Sequence, residues 1–179
     1  GRITYTQWLN GHGLLEGDVT VTKLADDRFL VVVTDTMLRH SEAWLRRHIP
    51  ADAHAFVTDV SGAHAQLNLQ GPRAREVLQT LTSVDLGNAA LPFRAAREID
   101  IGYARLLCVR ITYVGELGYE LHIPAEQAVH VHEQLVTAGR AFDLRHAGLK
   151  ALASLRLEKG YRDFGHDIDN TDDPFEAGL

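Results

Sequence analysis

Residues 110–120 read RITYVGELGYE, and this stretch decides how the surrounding chain folds. Gly115 and Gly118 permit backbone angles that β-branched residues resist, so the chain can double back here before it enters a strand. The bend can bring Tyr113 and Glu120 to one pocket, where a carboxylate would accept paired hydrogen bonds from an amidine-like ring edge. The residues alone leave a second interpretation open, a core tyrosine and an acid at a strand edge.

Strand and helix patterns alternate irregularly on both sides of this bend. Alternation and turn residues predict strands over 3–9, 18–24, 28–34, 54–60, 64–70, 96–101, 104–113 and 118–123. Apolar periodicity and capping signals predict helices near 36–48, from Gly71-Pro72 onwards, over 124–139 and over 147–159. Strand pairs interleaved with helices, without regular βαβ spacing, indicate an α+β fold with mostly antiparallel sheet.

Composition indicates a globular protein with one substantial core, divisible into two packed lobes. The chain has 179 residues and is 45% apolar, with no repeat, linker or low-complexity tract. Its net charge of −6 argues against a nucleic-acid surface, which needs a basic face to neutralise phosphates. No apolar run approaches the roughly 20 residues that span a bilayer, so no membrane partner is expected and a cytoplasmic setting follows.

Cysteine and histidine spacing predicts no metal site. Cys108 is the only cysteine and lies in an apolar run, so a buried, inert thiol is expected. Among the ten histidines, His130 and His132 stand two apart on a predicted helix and therefore face different sides. Phosphate-binding, dinucleotide-binding and serine-hydrolase motifs are likewise missing from the sequence.

Asp18 is the first candidate for catalysis. It follows a glycine-containing turn at the start of a predicted strand, next to Gly17. A solvated turn carboxylate is one interpretation. The other is a pocket carboxylate that stabilises a developing ammonium or iminium charge or takes up a proton.

Arg156, near the end of the last predicted helix, belongs to a charged run with Glu158 and Lys159. Leu152, Leu155 and the preceding glycine are expected to form the packed side of this helix, which leaves the charges as a solvated face. The alternative is a basic cluster that meets the anionic tail of a ligand.

Six short motifs, in order along the chain, together carry a resemblance to a known family. They are YTQWLN at 5–10, GDVTV at 17–21, LQGP at 69–72, YVGELGYE at 113–120, SLRLEKG at 154–160 and PFEAGL at 174–179. In this order they resemble the aminomethyltransferase family, the folate-binding domains of the glycine-cleavage T-protein and its relatives. The resemblance covers nearly the whole chain.

The resemblance implies a fold and an activity. The T-protein-like fold is α+β, with antiparallel sheets and helices in two lobes, and residues 1–179 would be a partial folate-binding domain lacking an N-terminal segment and the C-terminal β domain. The Gly-Glu-Leu-Gly bend and the Leu-Glu-Lys-Gly-Tyr-Arg run look like the C-terminal half of dimethylglycine and sarcosine dehydrogenases. There, by resemblance, an upstream FAD domain, fused or associated, oxidises an N-methyl amine, and this half captures the carbon on tetrahydrofolate as 5,10-methylenetetrahydrofolate.

The resemblance also implies roles for single residues. Asp18 matches the catalytic aspartate of the family, Tyr113 and Glu120 match the pair that holds the pterin, and Tyr5 matches a tyrosine that lines the folate site. Arg156 is the candidate for gripping the glutamyl tail, because the arginine that T-proteins use is missing here. A mitochondrial matrix location is implied if the source is a eukaryote.

Two alternatives stay open. A T-protein that acts with a lipoyl carrier usually has aspartate where Leu117 stands, and Arg-Asp where Leu152-Ala153 stand. A non-catalytic folate-binding module, such as the iron–sulfur assembly proteins of this fold, typically has a cysteine after Lys-Gly, where this chain has Tyr161.

Overall fold

The computed structural model describes all 179 residues, which divide into two compact units. The hairpin unit contains Ile3–Asp59 and Arg162–Leu179, and the four-strand unit contains Gly1–Arg2 and Val60–Tyr161. The strands are β1 Arg2–Leu9, β2 Leu15–Ala25, β3 Arg28–Val32, β4 His64–Gln70, β5 Ala96–Ile101, β6 Ala104–Val109 and β7 Gly118–Pro124. The helices are α1 Leu38–His48, α2 Ala74–Gln79, α3 Ala128–Gly139 and α4 Leu149–Glu158.

The hairpin unit is built on a three-stranded sheet in the order β1-β2-β3. The β2 and β3 strands pair antiparallel across a tight turn at Asp26 and Asp27. Leu15, at the start of β2, packs in a small core with Phe164, Ile168 and Ala177. The C-terminal segment is therefore part of this unit and holds the beginning of β2.

The four-strand unit is an antiparallel sheet in the order β4-β7-β6-β5. Along β7, Tyr119, Leu121 and Ile123 are fully buried in the main core, which also takes in residues of α2 and α3. Successive side chains of a strand point to opposite faces, so Glu120 lies on the face away from this core. A slip of one residue would bury that carboxylate in an apolar core, and the pattern therefore fixes the register.

The structure confirms the α+β fold with antiparallel sheets in two lobes, and most of the predicted elements. The strand predicted over 54–60 is wrong, because these residues pair with no neighbouring strand and Phe56 is exposed. The strand predicted over 104–113 ends at Val109, where the bend begins. Helix α2 starts at Ala74, two residues after Pro72. None of the helices is long and apolar enough to cross a membrane.

Candidate functional site

Asp18 sits on β2, where β1 supplies a hydrogen-bond donor to each of its carboxylate oxygens. The Tyr5 hydroxyl donates to Oδ2 over 3.0 Å, and the Gln7 side-chain amide donates to Oδ1 over 2.7 Å. Tyr5 and Gln7 are two residues apart and so share one face of β1. The carboxylate is thus held in one orientation by its neighbouring strand.

The pKa of Asp18 lies above its ordinary value. Burial is the largest cause, because a partly desolvated carboxylate loses the stabilisation that water gives to its charge. The hydrogen bonds from Gln7 and Tyr5 lower the pKa, and the negative charge of Asp163 raises it. Asp18 is therefore a half-buried group whose ionised form depends on the two donors of β1, unlike a solvated turn carboxylate.

The loop between β1 and β2 is held by side-chain hydrogen bonds just before Asp18. Asn10 Oδ1 accepts hydrogen bonds from the backbone N–H groups of His12 and Leu14, and its Nδ2 donates to Glu16 Oε1 over 3.1 Å. His40, on α1, places Nε2 3.0 Å from Glu16 Oε2. Asn10 on the loop and His40 on α1 therefore both contact Glu16, which lies two positions before Asp18.

The bend at 110–117 is held by residues beyond the end of α4. Gly115 has φ of +68°, and a Cβ there would collide with the Lys159 stem, which lies over it. Lys159 Nζ lies 3.5 Å from Glu116 Oε1. The Tyr113 and Tyr161 rings stack with centroids 6.2 Å apart. The bend thus needs glycine both for its backbone angle and for space.

A groove of about 370 Å³ opens beside this bend. Its lining residues come from the loop before β5 and from the bend itself, and Tyr161 adds an aromatic wall: Phe93, Arg110, Thr112, Gly115, Glu116, Leu117, Gly118 and Tyr161. Leu117, the residue that departs from the T-protein pattern, lines this groove and also packs against the main core.

Glu120 differs from Asp18 in its surroundings. Its side chain is 16% exposed, yet no protein group donates a hydrogen bond to its carboxylate. The nearest charged neighbour is His122, whose Nε2 lies 3.7 Å from Oε2. Largely buried carboxylates normally accept hydrogen bonds, so this one has acceptor capacity for a ligand.

Arg156 is the buried residue of α4, which corrects the predicted packing of this helix. Its side chain is inside, with Nη1 donating to the Tyr161 carbonyl over 2.9 Å, whereas Leu155 and Leu157 are exposed. Leu152 is half-buried. A guanidinium can hold a chain reversal because it offers several donors, and here it joins the helix end to the residue stacked on Tyr113.

The structure brings together some of the predicted residues. Tyr5 and Asp18 are in direct contact in the hairpin unit. In the four-strand unit, Tyr161 connects Tyr113 to Arg156. Gln7 was missed by the sequence reasoning, although its position two residues after Tyr5 on an alternating strand could have indicated it.

The remaining candidates for metal or thiol chemistry are weak. No group of three or more histidine, cysteine, aspartate or glutamate side chains is placed to hold a metal ion. Cys108 is buried, as predicted, and burial raises the pKa of its thiol to about 12. A thiol with such a pKa is protonated at neutral pH and is a poor nucleophile.

Comparison with known proteins identifies the family. The family model of the GCVT N-terminal domain matches residues 1–179. The 4-methylaminobutanoate oxidase (formaldehyde-forming) of Paenarthrobacter nicotinovorans is 40% identical over 99% of this chain, which corresponds to 22% of the oxidase. Mouse mitochondrial sarcosine dehydrogenase is 32% identical over the whole chain, which corresponds to 21% of that protein.

Relatives of a second kind are aminomethyltransferases. The aminomethyltransferase of Halothermothrix orenii is 36% identical over the whole chain, which corresponds to 49% of that enzyme. The crystal structure of the glycine cleavage system aminomethyltransferase T from Bartonella henselae matches 97% of this chain and 45% of its own, with a TM-score of 0.79 and 29% identity. The chain thus spans at most about half the length of these relatives.

Proposed function

The chain belongs to the family of the GCVT N-terminal domain, and from this premise we propose that it binds tetrahydrofolate and transfers a one-carbon unit to it. The larger protein would be a flavoenzyme that oxidises an N-methyl amine, like the dehydrogenases of sarcosine and dimethylglycine. The product would be 5,10-methylenetetrahydrofolate. Relatives of this chain include a sarcosine dehydrogenase and a 4-methylaminobutanoate oxidase as well as aminomethyltransferases. We propose that this chain belongs with the amine-oxidising enzymes.

The arrangement around Asp18 is the observation that carries the proposal. Capture of a one-carbon unit by an amine passes through positively charged species, which a fixed carboxylate stabilises. Tyr5 and Gln7 hold the carboxylate in place before the reaction, so little reorganisation is needed when charge develops. We assign Asp18 as the catalytic carboxylate and Tyr5 as a residue that lines its site.

The surroundings of Glu120 suit recognition of a pterin ring. Tetrahydrofolate, when bound, supplies the nucleophilic nitrogens that accept the carbon unit. The amidine-like edge of its pterin ring carries N–H groups, and the Glu120 carboxylate is largely buried without a donor of its own. We assign Glu120 and Tyr113 to holding the pterin. Arg156 remains a candidate for the glutamyl tail, although one of its nitrogens already bonds the Tyr161 carbonyl.

The relatives support an N-methyl amine as the source of the carbon. Sarcosine and 4-methylaminobutanoate both carry an N-methyl group, and the name of the oxidase states that formaldehyde is formed. This chain matches only about a fifth of each of these two relatives. The rest of each relative is long enough to contain a separate oxidising domain. We propose that FAD binds in such a domain of the whole protein, fused or associated, and that the setting is cytoplasmic, or the mitochondrial matrix in a eukaryote.

A T-protein aminomethyltransferase is the second candidate, because the relatives and the matching crystal structure include enzymes of that name. Leu117 argues against it, since T-proteins usually have aspartate at this place in the bend. A non-catalytic module with a reactive cysteine has less support. Tyr161 occupies that cysteine's place, and the single cysteine of this chain is buried with a raised thiol pKa.

The decisive experiment replaces Asp18 in the full-length protein. Asp18→Ala should reduce methylenetetrahydrofolate formation by about a hundredfold or more, the usual effect of removing a group that stabilises developing charge, while oxidation of the N-methyl amine continues. Asp27→Ala, an exposed turn carboxylate on the same hairpin, is the control and should leave both activities intact.

Two other kinds of outcome would contradict this proposal. Equal loss of both activities, or loss of neither, would overturn the catalytic assignment. Ammonia release from an aminomethylated lipoyl carrier, without amine oxidation by the full-length protein, would identify a T-protein instead.

A further inference from the structure

Asn68 lies directly opposite Glu120 in the sheet of the four-strand unit. The antiparallel register of β4 and β7 pairs Asn68 with Glu120, and the next pair on the same face is Gln66 with His122. Directly opposed residues of antiparallel strands point to the same face, with Cβ atoms about 5 Å apart. The amide of Asn68 and the carboxylate of Glu120 are therefore side by side, away from the apolar core.

Both side chains have hydrogen-bonding capacity that the protein does not use. Asn68 Oδ1 accepts a hydrogen bond from Gln66 Nε2 over 3.2 Å, while Asn68 Nδ2 has no acceptor. The Glu120 carboxylate has no donor, although its side chain is only 16% exposed. An acceptor and a donor are thus available next to each other, and Asn68 itself is exposed.

This pair is complementary to one particular ring edge. A 2-amino-4-oxopterin presents N–H donors on its amidine portion and, next to them, the acceptor oxygen at position 4. The carboxylate of Glu120 matches the donors, and the free N–H groups of Asn68 match the oxygen. The Glu120 side chain is largely buried, and a buried polar group left unpaired costs more than a made bond gains, so a ring edge without matching donors is disfavoured here.

We propose that Asn68 determines pterin specificity by donating a hydrogen bond to the 4-oxo oxygen while Glu120 accepts from the neighbouring N–H groups. The proposal rests on the proposed function and assigns a further contact at that site. Gln66 favours this orientation of the Asn68 amide, because a flipped amide would direct Nδ2 at the Gln66 donor.

Binding of two ligands to the full-length protein tests the proposal. Tetrahydrofolate carries the 4-oxo acceptor and an N3–H donor, whereas its neutral 4-amino-4-deoxy analogue has a donor at position 4 and an acceptor at N3. The wild type should bind tetrahydrofolate more tightly than the analogue, measured by fluorescence titration at a pH that keeps the analogue's ring neutral. Asn68→Ala should weaken tetrahydrofolate binding about fivefold, as expected for one lost hydrogen bond, with little change for the analogue.

Asn68→Asp tests the contact more stringently than Asn68→Ala does, because the new carboxylate accepts a hydrogen bond from a 4-amino group and repels a 4-oxo oxygen. The preference of the wild type for tetrahydrofolate should therefore shrink in this variant, because the analogue binds more tightly and tetrahydrofolate more weakly. Glu98→Gln, an exposed carboxylate on β5 of the same sheet, is the control and should bind both ligands as the wild type does. Thermal unfolding of Asn68→Ala should match the wild type, since Asn68 is exposed, whereas Asn68→Asp places a second carboxylate opposite Glu120 and should unfold at a slightly lower temperature.

The outcomes separate this inference from the proposed function. Unchanged discrimination in both Asn68 variants, with tetrahydrofolate still bound, would overturn the role of Asn68 and leave the proposed function standing. A wild-type protein that binds neither ligand would overturn the proposed function and this contact with it.

Discussion

Two carboxylates in this molecule contrast in how the protein surrounds them. Asp18 receives a hydrogen bond on each oxygen from β1, whereas Glu120 receives none although its side chain is largely buried. A carboxylate whose orientation is fixed by the protein suits a constant charge beside a reaction. A carboxylate with free acceptor capacity suits recognition of a ligand that brings its own donors.

The two regions also differ in what builds them. The turn before Asp18 has local side-chain support from Asn10, which bonds the loop backbone, although the C-terminal segment also holds Leu15 at the start of β2. The bend before Glu120 is held by Lys159 and Tyr161, more than 40 positions further along the chain. Local bonds form whenever the turn forms, but the bend depends on the packing of α4.

Glu120→Gln tests the contrast with the largest expected effect on binding. The substitution removes the charge and one acceptor oxygen, so tetrahydrofolate affinity should fall about tenfold to a hundredfold, the loss of a charge-assisted hydrogen bond. Fluorescence titration measures it, with the exposed Glu126→Gln as control. Asp18→Asn should change affinity by only a few fold, and equal losses in the two variants would remove the distinction between the carboxylates.

Gly115→Ala tests whether the bend depends on its long-range partner. Alanine must adopt φ of +68° and displace the Lys159 stem, so the free energy of unfolding should fall by about 1–2 kcal/mol. Chemical denaturation measures the change. Gly11→Ala, in the β1–β2 loop with open space around it and no positive φ, is the control and should change stability by much less. Equal effects at both positions would show that the contrast between the two loops is wrong.

Gln7→Leu tests the support of Asp18 and should have a smaller effect than the substitutions of Glu120 and Gly115. Gln7 lowers the pKa of Asp18 more than Tyr5 does, so its removal should raise that pKa further. Because the ionised carboxylate is the active form in our proposal, the acidic limb of the rate profile for one-carbon transfer should move to higher pH.

The matched variant Tyr5→Phe removes the second donor and should move the limb in the same direction by a smaller amount. The pH profile of amine oxidation is the internal control and should not move. A limb that stays in place in both variants would show that β1 does not tune this carboxylate.

Prediction from the sequence was most successful where the pattern is local. The strand predicted over 118–123 is β7 in the structure, with Tyr119 and Leu121 on its buried face and Glu120 on the other. The strand predicted over 54–60 failed because alternation alone does not provide a partner strand. Leu117 was identified in the sequence as the departure from the T-protein pattern, and it lines the groove beside the bend.

Arg156 shows why part of the site could not be predicted. A charged residue in a run of charges reads as solvated, and neighbouring leucines read as packed. The structure reverses both, because the Tyr161 carbonyl accepts from the guanidinium and the chain turns over it. The Tyr161 carbonyl lies beyond the end of the helix, so the apolar periodicity of the helix cannot indicate this contact.

The sequence by itself determined the family and the α+β class, because ordered motifs and strand alternation are properties of residue identity and spacing. Tertiary structure alone decided that Gln7 supports Asp18, that Asn68 faces Glu120, and that Lys159 overlies Gly115. Each of these contacts joins residues whose spacing is set by strand pairing or helix packing. Their chemistry depends on distances of a few ångströms, which only the folded chain fixes.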